Sequence, residues 1–360
     1  MIEPQAHVAA LAAYSLAELK APPGKRLVSL AQNESCMPPS PKALAAAGKA
    51  IASWQLYPDP DWTELRAAIA GVHDIAPETI LCGAGSMELI GALMRCYAGP
   101  GTGVLSTQYA YAFFRTATLA VGGDYSWVEE RDYTINVDAI LEAVRPHTRV
   151  VCVANPGNPT GTRISNDEIV RLRAELPEDM LLVVDEAYGE FANDPADQIF
   201  GLAERGDTVI LRTFSKVYGL AGARVGWGVF PSAVAEHVRK LLNPNNISTA
   251  SQAASAAAML DRDYMRAVRR ETIARRDRFS EQVKGLGLNA IPSSTNFVLI
   301  EFSTVNTAKD AAEALREEGI LMRGMAGYGL PHCLRATISH AADMNLAVRV
   351  LSRLSGRESI

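Results

Sequence analysis

The stretch RTFSKVYGLAGARVGWGVF, residues 212–230, combines a strand-like apolar pattern with two cations set among small and hydroxyl residues. Lys216 lies just beyond the apolar run at residues 209–211, and Arg224 follows further along the same stretch. A lysine is normally a solvated surface charge, so an isolated lysine at this position predicts an exposed loop. The surrounding sequence decides whether Lys216 is such a residue or the centre of a site.

Short apolar runs alternate with helix-period segments on both sides of this stretch. Such alternation is typical of a largely parallel sheet wrapped by helices. The candidate strands are ETILC (78–82), GVLST (103–107), YSWVE (125–129), TRVVCVA (148–154), MLLVVD (180–185), DTVILRT (207–213) and ARVGWGVF (223–230).

The rhythm changes after NPNNIST, residues 243–249, which breaks both patterns. A long helix is predicted from about Ser251 to Lys284, and the segments NFVLIEF, AKDAAEALREEG, ILMRG and LRATIS then predict a compact α+β unit that ends in a helix. We therefore expect an N-terminal arm over residues 1–35 that contributes to the small domain and the active site, a large domain over 36–245 and a small domain over 246–360.

Composition narrows the class of protein. The chain has 360 residues, of which 48% are hydrophobic and 21% charged, which predicts a globular protein with a large core. Its net charge of −5, without a Lys/Arg stripe, argues against nucleic-acid binding. The five cysteines form no CxxC pair or metal-ligand spacing, and we find neither a basic signal-peptide start nor a membrane-length apolar run. We expect a cytoplasmic protein without a metal.

Polar residues gather where the predicted strands end, which is where open α/β sheets bind their ligands. NPGNPTG (155–161) presents Asn158, DEAY (185–188) presents Asp185 and Tyr188, FSK ends in Lys216, and CGAGSMEL (82–89) is a glycine-rich turn that opens a helix. Each alone is commonly a turn or a cap. Together an amine, a carboxylate, a phenol, an amide, the Arg224 guanidinium and an anion-binding helix start fit pyridoxal phosphate.

A family resemblance follows from these motifs and their order. SKVYGLAGARVGW (215–227), NPGNPTG, DEAY, YPDPDWTELR (57–66) and RGMAGYGLPHCLRATIS (323–339) resemble the fold-type-I aminotransferases, and within them the histidinol-phosphate aminotransferase-like branch, over nearly the whole chain. The resemblance implies an α/β fold-type-I pyridoxal-phosphate-dependent transferase. Its large domain carries a mostly parallel seven-stranded sheet, and a smaller α+β domain follows at the C-terminus.

The resemblance also implies roles for individual residues around the cofactor. Lys216 would bind the cofactor's aldehyde and move a proton during catalysis, Asp185 would pair with the ring nitrogen, and Asn158 and Tyr188 would bond the ring's 3-oxygen. Tyr109 would stack on the ring. The cofactor's phosphate would be held by Ala84, Gly85, Ser86, Thr213, Ser215 and Arg224.

Other implied roles concern the partner subunit and the substrate. Tyr57 would reach the cofactor phosphate of a second protomer, which implies a homodimer with shared active sites. Arg335 would bind the carboxylate of the amino or oxo acid as a bidentate guanidinium. Arg323 and Tyr14 would help to hold a substrate phosphate. Asn33 lies in the active-site loop, and the resemblance leaves its role open.

The chain departs from the family pattern on the substrate side. NESCMPPSP (33–41) stands where NENPxG is common, Met87 follows the glycine turn in place of an acid, and Thr107 and Gln108 replace a proline. Three readings therefore stay open. They are transamination of histidinol phosphate with 2-oxoglutarate, transamination of an aromatic or other amino acid, and a decarboxylase or lyase reaction on the same fold.

Overall fold

The computed structural model describes residues 2–12, 20–192 and 198–354. Its strands are β1 (Val28–Leu30), β2 (Ile80–Gly83), β3 (Gly103–Thr107), β4 (Asp124–Val128), β5 (Thr148–Ala154), β6 (Leu181–Asp185), β7 (Thr208–Thr213), β8 (Gly226–Val229), β9 (Asn289–Ala290), β10 (Phe297–Glu301), β11 (Ile320–Met325) and β12 (Leu330–Thr337). Its α-helices are α1 (Ala6–Ala9), α2 (Pro41–Ala50), α3 (Thr63–His73), α4 (Ser86–Tyr97), α5 (Ala112–Ala120), α6 (Val137–Ala143), α7 (Asn166–Glu175), α8 (Gly189–Ala192), α9 (Ser232–Arg239), α10 (Thr249–Leu260), α11 (Arg262–Gly285), α12 (Val305–Glu317) and α13 (Ala341–Leu354).

A seven-stranded sheet in the order β2-β8-β7-β6-β5-β3-β4 confirms the predicted fold class and all the predicted strands. Its strands pair in parallel except β8, which is antiparallel to both β2 and β7. Every residue of β6 and β7 is buried, as expected when helices cover both faces of a parallel sheet. Because β5, β6 and β7 run side by side in one direction, the loops at their carboxyl ends meet at one edge.

A second, five-stranded sheet has the order β1-β11-β12-β10-β9. It contains β10, β11 and β12, as the C-terminal pattern predicts, and also β1, which the sequence did not predict. β1 pairs in parallel with β11, with Val28 opposite Ile320 and Leu30 opposite Met322. This pairing anchors the N-terminal segment to the C-terminal sheet, and it directs the loop that follows β1 toward the edge of the seven-stranded sheet.

Two large buried clusters divide the apolar core. The cluster around the seven-stranded sheet includes Ala254 of α10 and Met265 of α11, whereas Phe279 and Val283 near the end of α11 pack with the five-stranded sheet. The predicted long helix is two helices, with Asp261 between them in a non-helical conformation. The division of the chain at residues 35 and 245 stays a prediction, and the change of core falls within α11.

Candidate active site

A cavity of about 320 Å³ lies at the carboxyl edge of β5, β6 and β7, beside the start of α4. The loop that follows β1 contributes Gln32 and Glu34 to its wall, so chain segments from both sheets enclose it. Nine predicted site residues line this cavity: Gly85, Ser86, Asn158, Asp185, Tyr188, Thr213, Ser215, Lys216 and Arg224.

Lys216 follows the end of β7, and its side chain is directed into the protein. Its Nζ donates a hydrogen bond to the backbone carbonyl of Asn33 at 3.2 Å and lies 5.5 Å from the centre of the Tyr188 ring. Burial, reinforced by the charge of Arg335, lowers the pKa of Lys216 to about 8. The opening expectation of an exposed lysine therefore fails, because this amine is sheltered and loses its proton readily.

Asp185 is the last residue of β6 and is buried. Its Oδ1 accepts a hydrogen bond from the backbone N–H of Ala187 at 3.0 Å. Burial raises the pKa of Asp185 to about 6, and the Ala187 hydrogen bond and the nearby Lys216 charge oppose that rise. A buried carboxylate is stabilised by an adjacent cation, so Asp185 makes this side of the cavity suitable for a positively charged group.

Tyr188 and Asn158 present a phenol and an amide on the same wall. The Tyr188 oxygen accepts a hydrogen bond from Nδ2 of Asn33 at 2.8 Å, and burial raises the pKa of this phenol above its ordinary value. Oδ1 of Asn158 accepts from Nη1 of Arg335, whose Nη2 donates to the Ala31 carbonyl at 2.9 Å. Arg335 therefore lies directly behind Asn158 and contacts the cavity wall from the C-terminal sheet.

Another part of the cavity wall, the anion end at the start of α4, is suited to an anion. Gly85 is the N-cap of α4, has φ of 85°, and makes no side-chain cap, so the first N–H groups of the helix remain for a ligand. A Cβ atom on Gly85 would lie 2.6 Å from Nη2 of Arg224, and one on Gly226 would lie 2.2 Å from the backbone nitrogen of Ser86. Glycine at both positions lets the guanidinium and β8 approach the helix start.

The structure corrects the predicted role of Ala84. The Ala84 N–H donates to Oε2 of Glu88 at 2.6 Å, and the same oxygen accepts from Nδ2 of Asn246 at 2.7 Å. The Gly85 N–H is also bonded within the protein, to the Gly83 carbonyl at 2.7 Å, so we assign the anion end to the α4 start from Ser86 onward, with Gly85 leaving room for Arg224. Glu88, which the motif reading passed over, fixes the turn before α4.

The structure also does not place Tyr109 at the cavity. The backbone N–H of Tyr109 donates to Glu130 at 3.3 Å, and its ring packs 5.9 Å from that of Tyr133 and against apolar residues of the five-stranded sheet. Tyr111 lines the cavity instead. The turn in which the Ala110 N–H donates to the Thr107 carbonyl directs the two tyrosines to different environments, so we move the assignment from Tyr109 to Tyr111.

The residues predicted to contact the substrate or the partner subunit do not line the cavity within the described part of the chain. Arg323 in β11 lies directly opposite Arg335 in β12, and neither residue is part of the cavity wall. Tyr57 is 88% exposed on the surface of the protomer. Tyr14 lies outside the described residues.

The structure adds two polar residues that the motif reading missed, Gln32 and Glu34. Both flank Asn33 in the loop after β1, which the resemblance implies is an active-site loop without singling out these two side chains. Across residues 2–12, 20–192 and 198–354, no group of three or more acidic, His or Cys side chains is arranged to hold a metal ion. No helix in the same ranges is long and apolar enough to cross a membrane.

Comparison with known proteins places this geometry in a family. The family model described as "Aminotransferase class I and II" matches residues 25–351. The histidinol-phosphate aminotransferase of Ruegeria sp. (strain TM1040) is 40% identical over 339 residues, which is 94% of this chain and 93% of the relative. That of Maricaulis maris (strain MCS10) is 40% identical over 360 residues, which is 98% of each chain.

A solved structure agrees with these relatives. The crystal structure of histidinol-phosphate aminotransferase from Sinorhizobium meliloti in complex with pyridoxal-5'-phosphate superposes with a TM-score of 0.90 at 28% identity, covering 99% of this chain and 98% of that one. The match of sequence, fold and cavity shows that the chain belongs to the class I and II aminotransferase family, with the fold-type-I architecture.

Proposed function

We propose that this protein is a pyridoxal-phosphate-dependent aminotransferase that transfers an amino group from histidinol phosphate to 2-oxoglutarate. The observation that carries the proposal is the cavity itself, whose wall brings together a low-pKa lysine, a buried carboxylate and a helix start suited to an anion. The relatives that are 40% identical over most of the chain are histidinol-phosphate aminotransferases, and they support the choice of substrate.

The residues present fit the cofactor on their chemistry. The buried Asp185 would pair with a protonated ring nitrogen, and the α4 start with Arg224 would hold the phosphate dianion. Asn158 and Tyr188 would bond the ring oxygen, Tyr111 would cover the ring, and Thr213 and Ser215 would add hydroxyl groups at the phosphate end. Pyridoxal phosphate supplies an aldehyde that exchanges amino groups and a ring that withdraws electrons from the substrate's α-carbon.

The protein itself contributes the Lys216 amine, a base held in a site sheltered from water. The pKa of about 8 lets the Lys216 amine lose its proton near neutral pH, so that it acts as nucleophile and then takes the proton from the substrate's α-carbon. Asp185 would keep the cofactor's ring nitrogen protonated, because burying a carboxylate without a cation raises the free energy of the folded protein and a bound cation lowers it. The reaction runs as a ping-pong cycle, in which histidinol phosphate leaves as the corresponding ketone before 2-oxoglutarate enters and leaves as glutamate.

Two arginines from neighbouring strands support an anionic substrate. Arg323 and Arg335 are directly opposite each other in the antiparallel β11–β12 pair. An anion bound near both guanidinium groups would relieve the repulsion between like charges at this position. We assign Arg335 to the substrate's carboxylate or phosphate and Arg323 to its phosphate end, with Tyr14 as a further contact.

We also propose a cytoplasmic homodimer in which Tyr57 reaches the partner's cofactor phosphate. Around Tyr57, Trp54 is 61% exposed and Leu56 is 64% exposed, so this segment presents apolar surface suited to a second copy of the chain. Light scattering of the purified protein would measure the mass. Mixed dimers of Lys216→Ala and Tyr57→Phe subunits would then show whether the site is shared, because one wild-type site per dimer would restore activity.

A substrate panel tests the proposed reaction. Steady-state kcat/KM would be measured with 2-oxoglutarate and, in turn, histidinol phosphate, histidinol, phenylalanine and a phosphorylated amino acid. We expect kcat/KM for histidinol phosphate to exceed that for unphosphorylated histidinol by at least about a hundredfold, because one charge-assisted contact to a phosphate is worth about 1.5–3 kcal/mol and the proposed roles of Arg323 and Arg335 would give more than one such contact. Preference for phenylalanine, or release of CO₂ or an alkene without transfer of nitrogen to 2-oxoglutarate, would overturn this assignment.

A further inference from the structure

Asn33 has a backbone and side chain that are bonded on every side. It is 2% exposed and adopts the left-handed conformation with φ of 56° in the loop after β1. Its backbone N–H donates a hydrogen bond to Oγ1 of Thr337 at 2.9 Å. The Thr337 hydroxyl in turn donates to Oδ1 of Asn33 at 3.2 Å. Both bonds come from the last residue of β12, so the C-terminal sheet fixes the position of Asn33.

The Thr337 hydroxyl also decides which way the Asn33 amide faces. Because Oδ1 accepts from Thr337, the other end of the amide, Nδ2, points to the Tyr188 oxygen and donates to it at 2.8 Å. This bond makes the Tyr188 oxygen an acceptor and leaves its own proton to be donated elsewhere. The Tyr188 hydroxyl is thereby presented to the cavity as a donor.

The backbone carbonyl of the same residue holds the lysine. It accepts hydrogen bonds from Nζ of Lys216 at 3.2 Å and from Nδ2 of Asn296 at 3.1 Å. Asn296, immediately before β10, belongs to the C-terminal sheet region, whereas Lys216 and Tyr188 lie at the ends of the large sheet's strands. Asn33 is therefore the point at which the five-stranded sheet contacts the two reactive side chains of the other sheet.

We propose that Asn33 is a positioning residue, which transmits the placement of Thr337 and Asn296 to the Tyr188 hydroxyl and the Lys216 amine. The inference rests on the proposed function, because it assigns Tyr188 and Lys216 to the cofactor. Asn33 acts through these two side chains, and the part of its effect that its amide exerts depends on the presence of the Tyr188 hydroxyl.

A double-mutant cycle tests the link to Tyr188. Asn33→Gly removes the amide, keeps the carbonyl and suits the positive φ, and the dissociation constant of pyridoxal phosphate would be measured by titrating cofactor-free protein. We expect about tenfold weaker binding in Asn33→Gly, and a change of about threefold or less when the same substitution is made in Tyr188→Phe, where only the effect on Lys216 remains. Equal changes in both backgrounds would overturn the proposal, because a merely structural residue acts additively.

Two further variants separate donation from shape. Asn33→Asp keeps the size and the Thr337 bond but does not donate to Tyr188 when ionised, so we expect it to bind the cofactor as weakly as Asn33→Gly. Thr337→Val removes the hydroxyl that orients the amide, and we expect about threefold weaker binding with little loss of folding. Wild-type affinity in both variants would contradict the proposal. Asp74→Gly, at an exposed left-handed residue away from the cavity, is the matched control and should leave the affinity unchanged.

A readout without cofactor distinguishes this inference from the proposed function. In cofactor-free protein, the rate at which Lys216 reacts with an amine reagent would be followed against pH by mass spectrometry. We expect the apparent pKa of Lys216 to move upward in Asn33→Gly, because the loosened loop admits water, and to stay in place in Asp74→Gly. An unchanged profile in Asn33→Gly overturns the inference, whereas failure of wild-type protein to bind the cofactor, with the shift still seen, overturns only the proposed function.

Discussion

Two buried charged clusters lie side by side at the ends of β6 and β7, and they are built differently. Arg212 donates from Nε and Nη2 to Glu186 at 2.9 and 2.7 Å, and its Nη1 lies 3.3 Å from Glu190. Asp185 and Lys216, from the same two strand ends, bond to the backbone of Ala187 and Asn33. Neither forms an ion pair with any residue within the described ranges.

The difference separates a structural charge from a functional one. Burial alone would lower the pKa of Arg212, but Glu186 and Glu190 raise it, so this cation is fixed by its partners. Burial instead raises the pKa of Asp185 to about 6 and lowers that of Lys216 to about 8. The paired cluster holds the strand ends together, and the unpaired groups are ready for a ligand that carries the complementary charges.

The largest expected effect comes from removing the functional cation. Lys216→Ala should lower kcat for transamination by about 10⁴-fold or more, because both the nucleophile and the proton-transfer group are lost. Initial rates with histidinol phosphate and 2-oxoglutarate measure this. Lys240→Ala, which removes an exposed lysine paired with Glu236, is the control and should keep its activity. A Lys216→Ala enzyme with near wild-type turnover would contradict the assignment.

Breaking the paired cluster should act on stability instead. Glu186→Gln leaves Arg212 buried with one carboxylate, and we expect a loss of about 3 kcal/mol in the free energy of unfolding, measured with urea. The folded fraction should keep most of its activity per molecule. A stable variant with lost catalysis would reverse the distinction between the two clusters.

Asp185→Asn sharpens the comparison, because it also replaces a buried carboxylate by an amide, one residue before Glu186. We expect kcat to fall about a hundredfold or more, since no carboxylate then pairs with the ring nitrogen, while the unfolding free energy of the cofactor-free protein does not fall. Parallel kinetics and urea unfolding of this variant and Glu186→Gln measure the contrast. Near wild-type kcat would mean that Asp185 is only structural.

The smallest expected effect is on the pH dependence of stability without cofactor. The folded-state pKa of Lys216, about 8, is below its ordinary 10.5, so the buried cation is destabilising below pH 8 and that penalty disappears between pH 8 and 10.5. Lys216→Met should therefore be more stable than wild type below pH 8, by about 2 kcal/mol, with the pH-dependent part of the gain vanishing toward pH 10.5.

The ionisation of Asp185 changes the stability with pH in the direction opposite to that of Lys216. Its folded-state pKa of about 6 is above its ordinary 3.8, so the wild-type protein loses stability as the pH rises from 3.8 through 6. Relative to wild type, Asp185→Asn should therefore become more stable as the pH rises through this range. Thermal unfolding across pH 4–10 measures both profiles. Parallel curves for wild type and both variants would show that neither group is electrostatically unpaired.

Much of the site was predictable because its residues follow strands with strong apolar patterns. Asp185 is the last residue of β6, and Asn158 and Lys216 follow the ends of the parallel strands β5 and β7 within a few residues, so their convergence follows from topology. The phosphate role of Arg224 was implied by the family resemblance, through the motif SKVYGLAGARVGW.

Other features depended on contacts that a sequence does not display. β1 has three residues and is a strand because β11, almost three hundred residues later, pairs with it. Whether Tyr109 or Tyr111 faces the cavity depends on a turn, and whether the Ala84 N–H remains available depends on Glu88. The break at Asp261 interrupts a continuous helical pattern, and the packing of α10 on the large sheet is a tertiary effect.

A single half-reaction tests the central claim most directly. The visible absorption of the cofactor in the purified holoenzyme would be recorded as histidinol phosphate is added without any oxo acid. The account predicts conversion to the pyridoxamine form, complete reversal on addition of 2-oxoglutarate, and neither change in Lys216→Ala. Absence of conversion by any amine, or product release that leaves the spectrum unchanged, would contradict the aminotransferase mechanism.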